Sequence, residues 1–244
     1  MRRDDQPEIL DAADVPDSVA RLAYRDLARI HRWLGDTAFV LRRIRQDTLP
    51  VHRILDVGCG SGAVSEHVRR KLGIEVLGVD LNPRLSAAAM VPILKADAVR
   101  DTLPRADVAY SMHLGHHLSE RELIALIRNV GKFCRRFILL DLVRHPLPLA
   151  LFRVFVAPFV CRIVVDDGQT SIRRSYTPGE LHRITTDALR DSGGTFRQSV
   201  APIYSRQVID ISYAPQRHRA GRQSASKAPI PAGSRSGIRY PARS

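Results

Sequence analysis

The stretch Leu55-Asp56-Val57-Gly58-Cys59-Gly60-Ser61-Gly62 joins an apolar, strand-like segment, Arg53 to Val57, directly to an amphipathic, helix-like one, Ala63 to Lys71. Glycines at such a junction let the backbone approach a ligand, and the first N–H groups of the helix have no partner within it. Dinucleotide sites use a similar turn, but with the spacing GxGxxG. Here the spacing is GxGxG, and Asp56 stands two residues before the first glycine. A carboxylate there opposes a pyrophosphate and suits an ammonium-bearing ligand.

Outward from this turn, segments rich in Val, Ile and Leu alternate with amphipathic ones. Glu75 to Val79, Ile93 to Lys95, Val108 to Ser111 and Phe137 to Leu142 read as further strands. Leu85 to Met90 and Ser119 to Phe133 read as helices between them. That rhythm predicts parallel strands with right-handed helical crossovers, hence a three-layer α/β domain. Later, Thr177-Pro178-Gly179-Glu180 carries a helix start: a capping Thr, Pro at the first helical position and a Glu able to reach back to the cap. Phe196 to Val200 and Gln207 to Tyr213 then read as an antiparallel strand pair around Pro202.

Three acids end three successive strands: Asp56, Asp80 and Asp97. At the C-terminal edge of a parallel sheet they line one crevice, and Asp80 is placed to accept from a ribose diol. Each could instead only cap the turn after it.

Before the first strand, Val19, Leu22, Leu27, Ile30 and Trp33 recur at helical spacing, with Arg21, Arg25, Arg29 and Arg32 on another face. After the fifth, the apolar run Leu147 to Val165 reads either as a buried core helix or as a lid over a hydrophobic acceptor. The chain divides into a helical extension or lid (1–50), a central domain (51–214) and a basic tail (215–244) whose Ser, Pro, Gly, Ala and Arg cannot offset the entropy of ordering.

With 44% hydrophobic and 26% charged residues, the chain is expected to be globular. Its net charge of +13 could mark a nucleic-acid binder. Seven of the basic residues, however, follow the last acid, Asp210, which leaves +6 for the rest, so no nucleic-acid partner is expected. Cys59, Cys134 and Cys161 form no CxxC pair, which argues against a disulfide framework or a cysteine zinc site and for a reducing cytoplasm. The greasiest stretch is broken by Pro148, Arg153, Pro158 and Arg162, against a membrane span.

The pattern LDVGCGSG, then VLGVD, then LKADA, followed by LPRADVAYSMHLGHHL, resembles the class I S-adenosylmethionine-dependent methyltransferases, closely over residues 53 to 142 and loosely to 213. The end of the chain is most similar to bacterial small-molecule enzymes of quinone and polyketide pathways. The resemblance implies a Rossmann-like seven-stranded sheet in the order 3-2-1-4-5-7-6 with the seventh strand antiparallel. It implies S-adenosylmethionine as cofactor: Asp56 and the backbone of Gly58 and Gly60 at the methionine portion, Asp80 with Leu81 at the ribose, Asp97 and Ala98 at the adenine, and Ser111 and Met112 closing the site. His117 matches a family histidine at the start of the fourth helix.

Methyl transfer from a sulfonium is an in-line displacement, for which alignment and exclusion of water suffice and no metal is expected. A hydroxyl acceptor gains from a nearby base, and histidine suits that role near neutral pH. His113, two residues past the predicted fourth strand, is the first choice. His116 and His117 follow, and His145 at the end of the fifth strand is the reserve. The expected activity is methylation of a small hydrophobic phenol, quinol or polyketide hydroxyl. C-methylation of a quinone or isoprenoid-type compound is the alternative, and an NAD(P)-dependent oxidoreductase a further one. Transient contact with a membrane surface is a third reading of the apolar run. Composition and spacing say nothing of oligomeric state.

Overall fold

The computed structural model describes residues 1–12, 15–82 and 89–214. Seven strands form one sheet: β1 (Arg53–Val57), β2 (Glu75–Asp80), β3 (Ile93–Lys95), β4 (Ala106–Met112), β5 (Cys134–Asp141), β6 (Thr195–Val200) and β7 (Gln207–Ser212). Their order is β3-β2-β1-β4-β5-β7-β6. The first five are parallel, whereas β7 runs antiparallel to both β5 and β6. The strand pair around Pro202 therefore completes the sheet as expected.

Helices cover both faces, and strand alternation decides what each one meets. Leu55, Ala109, Phe137 and Leu139 pack with Leu123, Leu126 and Ile127 of α4 (Glu120–Val130) and with Leu181 and Ile184 of α7 (Pro178–Leu189). On the other face Ile54, Val108, Tyr110 and Ile138 meet Val40, Leu41 and Ile44 of α2 (Asp36–Arg45) and Val68 of α3 (Ala63–Leu72). Both α4 and α7 begin with reciprocal capping boxes, Ser119 with Glu122 and Thr177 with Glu180, and Pro178 takes the first turn of α7 as its sequence requires.

Elsewhere the expectations need correction. In α1 (Asp17–Trp33) the buried stripe is Ala20, Ala23, Asp26 and Ile30, while Leu22 and Trp33 face outward, because small residues let α1 lie close against α6 (Arg162–Arg174). The apolar run after β5 is no single core helix. It divides into α5 (Pro146–Phe155), a 3-10 turn at Ala157–Phe159 and the start of α6, with Val154, Phe155 and Phe159 about 60% exposed or more. The helix expected over 85–90 falls largely on residues outside those described, and Ala89 and Met90 are not helical. The tail, 215–244, lies outside them as well. No described helix is long and apolar enough to cross a membrane.

Candidate functional site

At the C-terminal edge of the sheet a cavity of about 650 Å3 opens between the β1–α3 turn, the ends of β2, β3 and β4, and helices α1 and α6. Gly58, Gly60 and Gly62 all lie in the left-handed region, which lets the chain turn from β1 into α3. Gly78 admits this elbow from below: a Cβ there would stand 2.6 Å from Cys59 Sγ. Above it, Leu114 covers Gly58 and the ring of Tyr24 covers Gly60, where a Cβ would meet the side chains at 3.1 and 3.3 Å. The elbow is a cradle of backbone that residues larger than glycine would fill.

The three acids surround this cradle. Asp80 accepts the N–H of Gly60 on Oδ2 and that of Asn82 on Oδ1, each at 2.8 Å. Asp97 accepts the N–H of Val99 at 2.9 Å. Asp56 is buried, and its Oδ2 accepts the hydroxyls of Ser65 and Tyr110 at 2.6 Å. Burial, with the charge of Asp80 beside it, outweighs those bonds and pushes Asp56 up to about 6.

Opposite the elbow a chain of histidines and carboxylates runs along the wall. Asp36 Oδ2 lies 3.2 Å from His113 Nε2 and 3.4 Å from His31 Nδ1, while Arg206 donates to Asp36 Oδ1 at 2.6 Å. Burial alone would raise Asp36, but the bonds to His113 and His31 hold it far below the usual carboxylate range. His31 stacks on His113 with ring centroids 4.7 Å apart, and burial lowers its pKa despite Asp36, leaving the ring neutral near pH 7. Further along, His116 Nδ1 lies 2.6 Å from Asp141 Oδ1. Burial opposes the charged form of His116, yet Asp141 and Glu8 outweigh it and raise its pKa to about 10.

Of the cofactor residues expected from sequence, Asp56, Gly58, Gly60, Asp80, Leu81, Asp97, Ala98 and Met112 all line the cavity. Ser111 does not. Strand alternation places Tyr110 and Met112 on one face of β4 and turns Ser111 to the other, where its Oγ is buried without a hydrogen-bond partner among the described residues. His113, His116 and His117 reach the cavity wall. His145 instead caps α5 by accepting the N–H of Leu147 and stacks on Tyr204 at 4.4 Å, away from the cavity lining. His113 is held in the left-handed region at φ 58°, an uncommon position for a side-chain-bearing residue. Its Nδ1 is buried without a hydrogen-bond partner among the described residues.

Glu8, Tyr24, His31, Asp36 and Asp141 were not singled out from the sequence as site residues. The periodicity of α1 announces a helix but not which of its polar residues turns inward. Glu8 reaches the wall because the first residues are fixed against α6: Asp167 accepts the N–H groups of Ile9 and Leu10, at 2.7 and 3.0 Å, and the N–H of Asp4 donates to the Arg173 carbonyl.

Residues 54–136 match a methyltransferase domain family. A ubiquinone biosynthesis O-methyltransferase of Psychrobacter arcticus is 28% identical over 198 residues, covering 69% of this chain and 72% of that one. Among solved structures, the plantazolicin methyltransferase BpumL in complex with SAH superposes with a TM-score of 0.61 at 13% identity, over 82% of this chain and 91% of that one. The methyltransferase domain of bacterial CtHen1-C gives 0.56 at 15% identity, over 73% and 96%. The matched methyltransferase domain spans the glycine elbow and the acids Asp56, Asp80 and Asp97, and the sheet order is the one that the methyltransferase resemblance implied.

Proposed function

We propose that the chain transfers a methyl group to a hydroxyl of a small hydrophobic acceptor, such as a phenol, quinol or polyketide. The observation that carries this reading is the make-up of the cavity. Its elbow side is backbone and carboxylate, and its far side sets the histidine–carboxylate chain among apolar side chains, Leu27 and Ile30 from α1, Phe152 from α5, and Val164 and Ile172 from α6. Such a wall supports an apolar acceptor and keeps water from the reacting atoms. The similarity to an enzyme named as a ubiquinone biosynthesis O-methyltransferase accords with it.

S-adenosylmethionine supplies the sulfonium methyl. In the chain itself, the elbow amides, Asp56, Asp80 with Leu81, and Asp97 with Ala98 are the residues to hold it, and Met112 closes that side. Asp36 fixes Nδ1 of His31, which leaves Nε2 of a neutral ring to take the acceptor proton. His113 binds the same carboxylate and has its other nitrogen buried, so its role is to hold Asp36 and the stacked His31 in place rather than to accept the proton. His117 lines the acceptor side.

The test is incubation with labelled S-adenosylmethionine and a panel of phenols and quinols, followed by product mass analysis. Label on oxygen supports the reading, and label confined to ring carbon replaces it with C-methylation. A second reading concerns the outer face: Trp33, Val154, Phe155 and Phe159 are exposed, and Arg29, Arg153 and Arg162 lie beside them in sequence. An apolar patch among arginines suits transient contact with an anionic membrane surface, from which lipid-soluble acceptors are drawn. Co-sedimentation with anionic vesicles, lost in Phe155→Ser and Phe159→Ser, is the expected result; no co-sedimentation removes this reading.

A further inference from the structure

Glu8, His116 and His117 converge on one point of the cavity wall. Glu8 Oε1 lies 3.3 Å from His116 Nε2 and 3.7 Å from His117 Nε2. The three ligand atoms all stand within 4.8 Å of one another. Ligands about 2.0 to 2.1 Å from a tetrahedral ion stand about 3.4 Å apart, so both nitrogen–oxygen separations are close to the edge of such a site.

The far nitrogens are held as well. His116 Nδ1 lies 2.6 Å from Asp141 Oδ1, and His117 Nδ1 lies 3.2 Å from Asp11 Oδ2. A carboxylate behind each imidazole fixes the tautomer with the proton on Nδ1 and turns the Nε2 lone pair toward Glu8, the usual support of metal-binding histidines. The Glu8 carboxylate is itself buried and steadied by the Ser171 hydroxyl at 2.7 Å. An ion here takes the place of the proton between His116 Nε2 and Glu8 Oε1.

We propose that Glu8, His116 and His117 bind a divalent transition-metal ion, with Zn2+ as the fitting one, and leave a fourth position open to the cavity for an oxygen ligand. Two imidazoles and one carboxylate suit such ions, and three protein ligands with an open position is the arrangement of reactive rather than structural zinc sites. The ion would also tie the first residues of the chain to the loop after β4. His31, Asp36 and His113 form a second cluster of similar composition, but there Arg206 occupies the carboxylate, and its positive charge disfavours a cation.

The test is calorimetric titration of the chelator-treated full chain with Zn2+, and with Co2+ as a coloured probe of ligand field. Neither methyl donor nor acceptor is present, so failure here is separate from failure of the methyl-transfer reading. One ion per chain is expected, with affinity reduced at least tenfold in Glu8→Gln and His117→Ala and unchanged in His31→Ala. Asp11 is half exposed, its carboxylate meeting His117 and Arg174, so Asp11→Asn is expected to keep the fold and still weaken binding about 10-fold or more. Absence of binding overturns the proposal. So does stoichiometric binding that survives both Glu8→Gln and Asp11→Asn, or that is lost in His31→Ala.

Discussion

Asp80 clamps Gly60: the carboxylate that ends β2 accepts, at 2.8 Å, the backbone N–H at the centre of the elbow that follows β1. One acid thus shapes the cradle and faces the position proposed for the ribose. Asp80→Ala is expected to weaken S-adenosylhomocysteine binding at least tenfold in calorimetry. Asp80→Asn, which keeps an acceptor for Gly60, should fall between. Wild-type affinity in the alanine variant would reject the assignment.

Gly78 carries a packing prediction. A side chain there collides with Cys59 Sγ and Ile93, and both neighbours belong to the elbow region rather than to flexible surface. Gly78→Val should cost about 1 to 3 kcal/mol in urea unfolding, the usual range for overpacking a tight interior, and weaken cofactor binding with it. An unchanged midpoint would mean that the elbow can shift freely.

The raised pKa of Asp56 makes a prediction about stability and pH. A carboxyl that titrates at about 6 in the folded chain and near 3.8 when unfolded binds more protons folded than unfolded between those values. Its contribution to stability is therefore full below pH 3.8, declines as pH rises toward 6, and stays lost above. Asp56→Asn removes this decline, so relative to wild type the variant should gain on the order of 3 kcal/mol between pH 4 and pH 7. Parallel denaturation curves at the two pH values check it. Equal pH dependence in both proteins would count against a strained, buried carboxyl.

The two stacked histidines should separate kinetically. His31→Ala is expected to lower kcat about 100-fold with little change in cofactor affinity, as loss of a general base does. His113→Gln keeps a donor to Asp36 and should retain most of the activity, whereas His113→Ala should lose more. If His113→Gln is as inactive as His31→Ala, the base is His113 and the order of roles is reversed.

How far the sequence carried these assignments depends on distance along the chain. The elbow, the acid-ended strands and the strand pair around Pro202 are local patterns, set by glycine spacing, alternation and caps, and all were readable. Asp36 and His31 were not, because their meeting with His113 depends on how α1 and α2 pack on the sheet, 77 residues from His113 in the case of Asp36. Ser111 shows the limit within a strand: the family pattern pointed to the position, but the alternation of β4 sends its side chain to the opposite face. Trp33 shows the limit in a helix, since periodicity marks an apolar stripe without saying that alanines, rather than the large side chains, will be the buried part. For His145, the same residue type that suits a base also suits a helix cap, and the folded chain uses it as the cap.

The most direct measurement is calorimetric titration of the full chain with S-adenosylhomocysteine and, separately, with NADH. One molecule of the thioether bound per chain and no heat from the dinucleotide is the predicted result. Saturable NADH binding without any response to S-adenosylhomocysteine would contradict the account at its base.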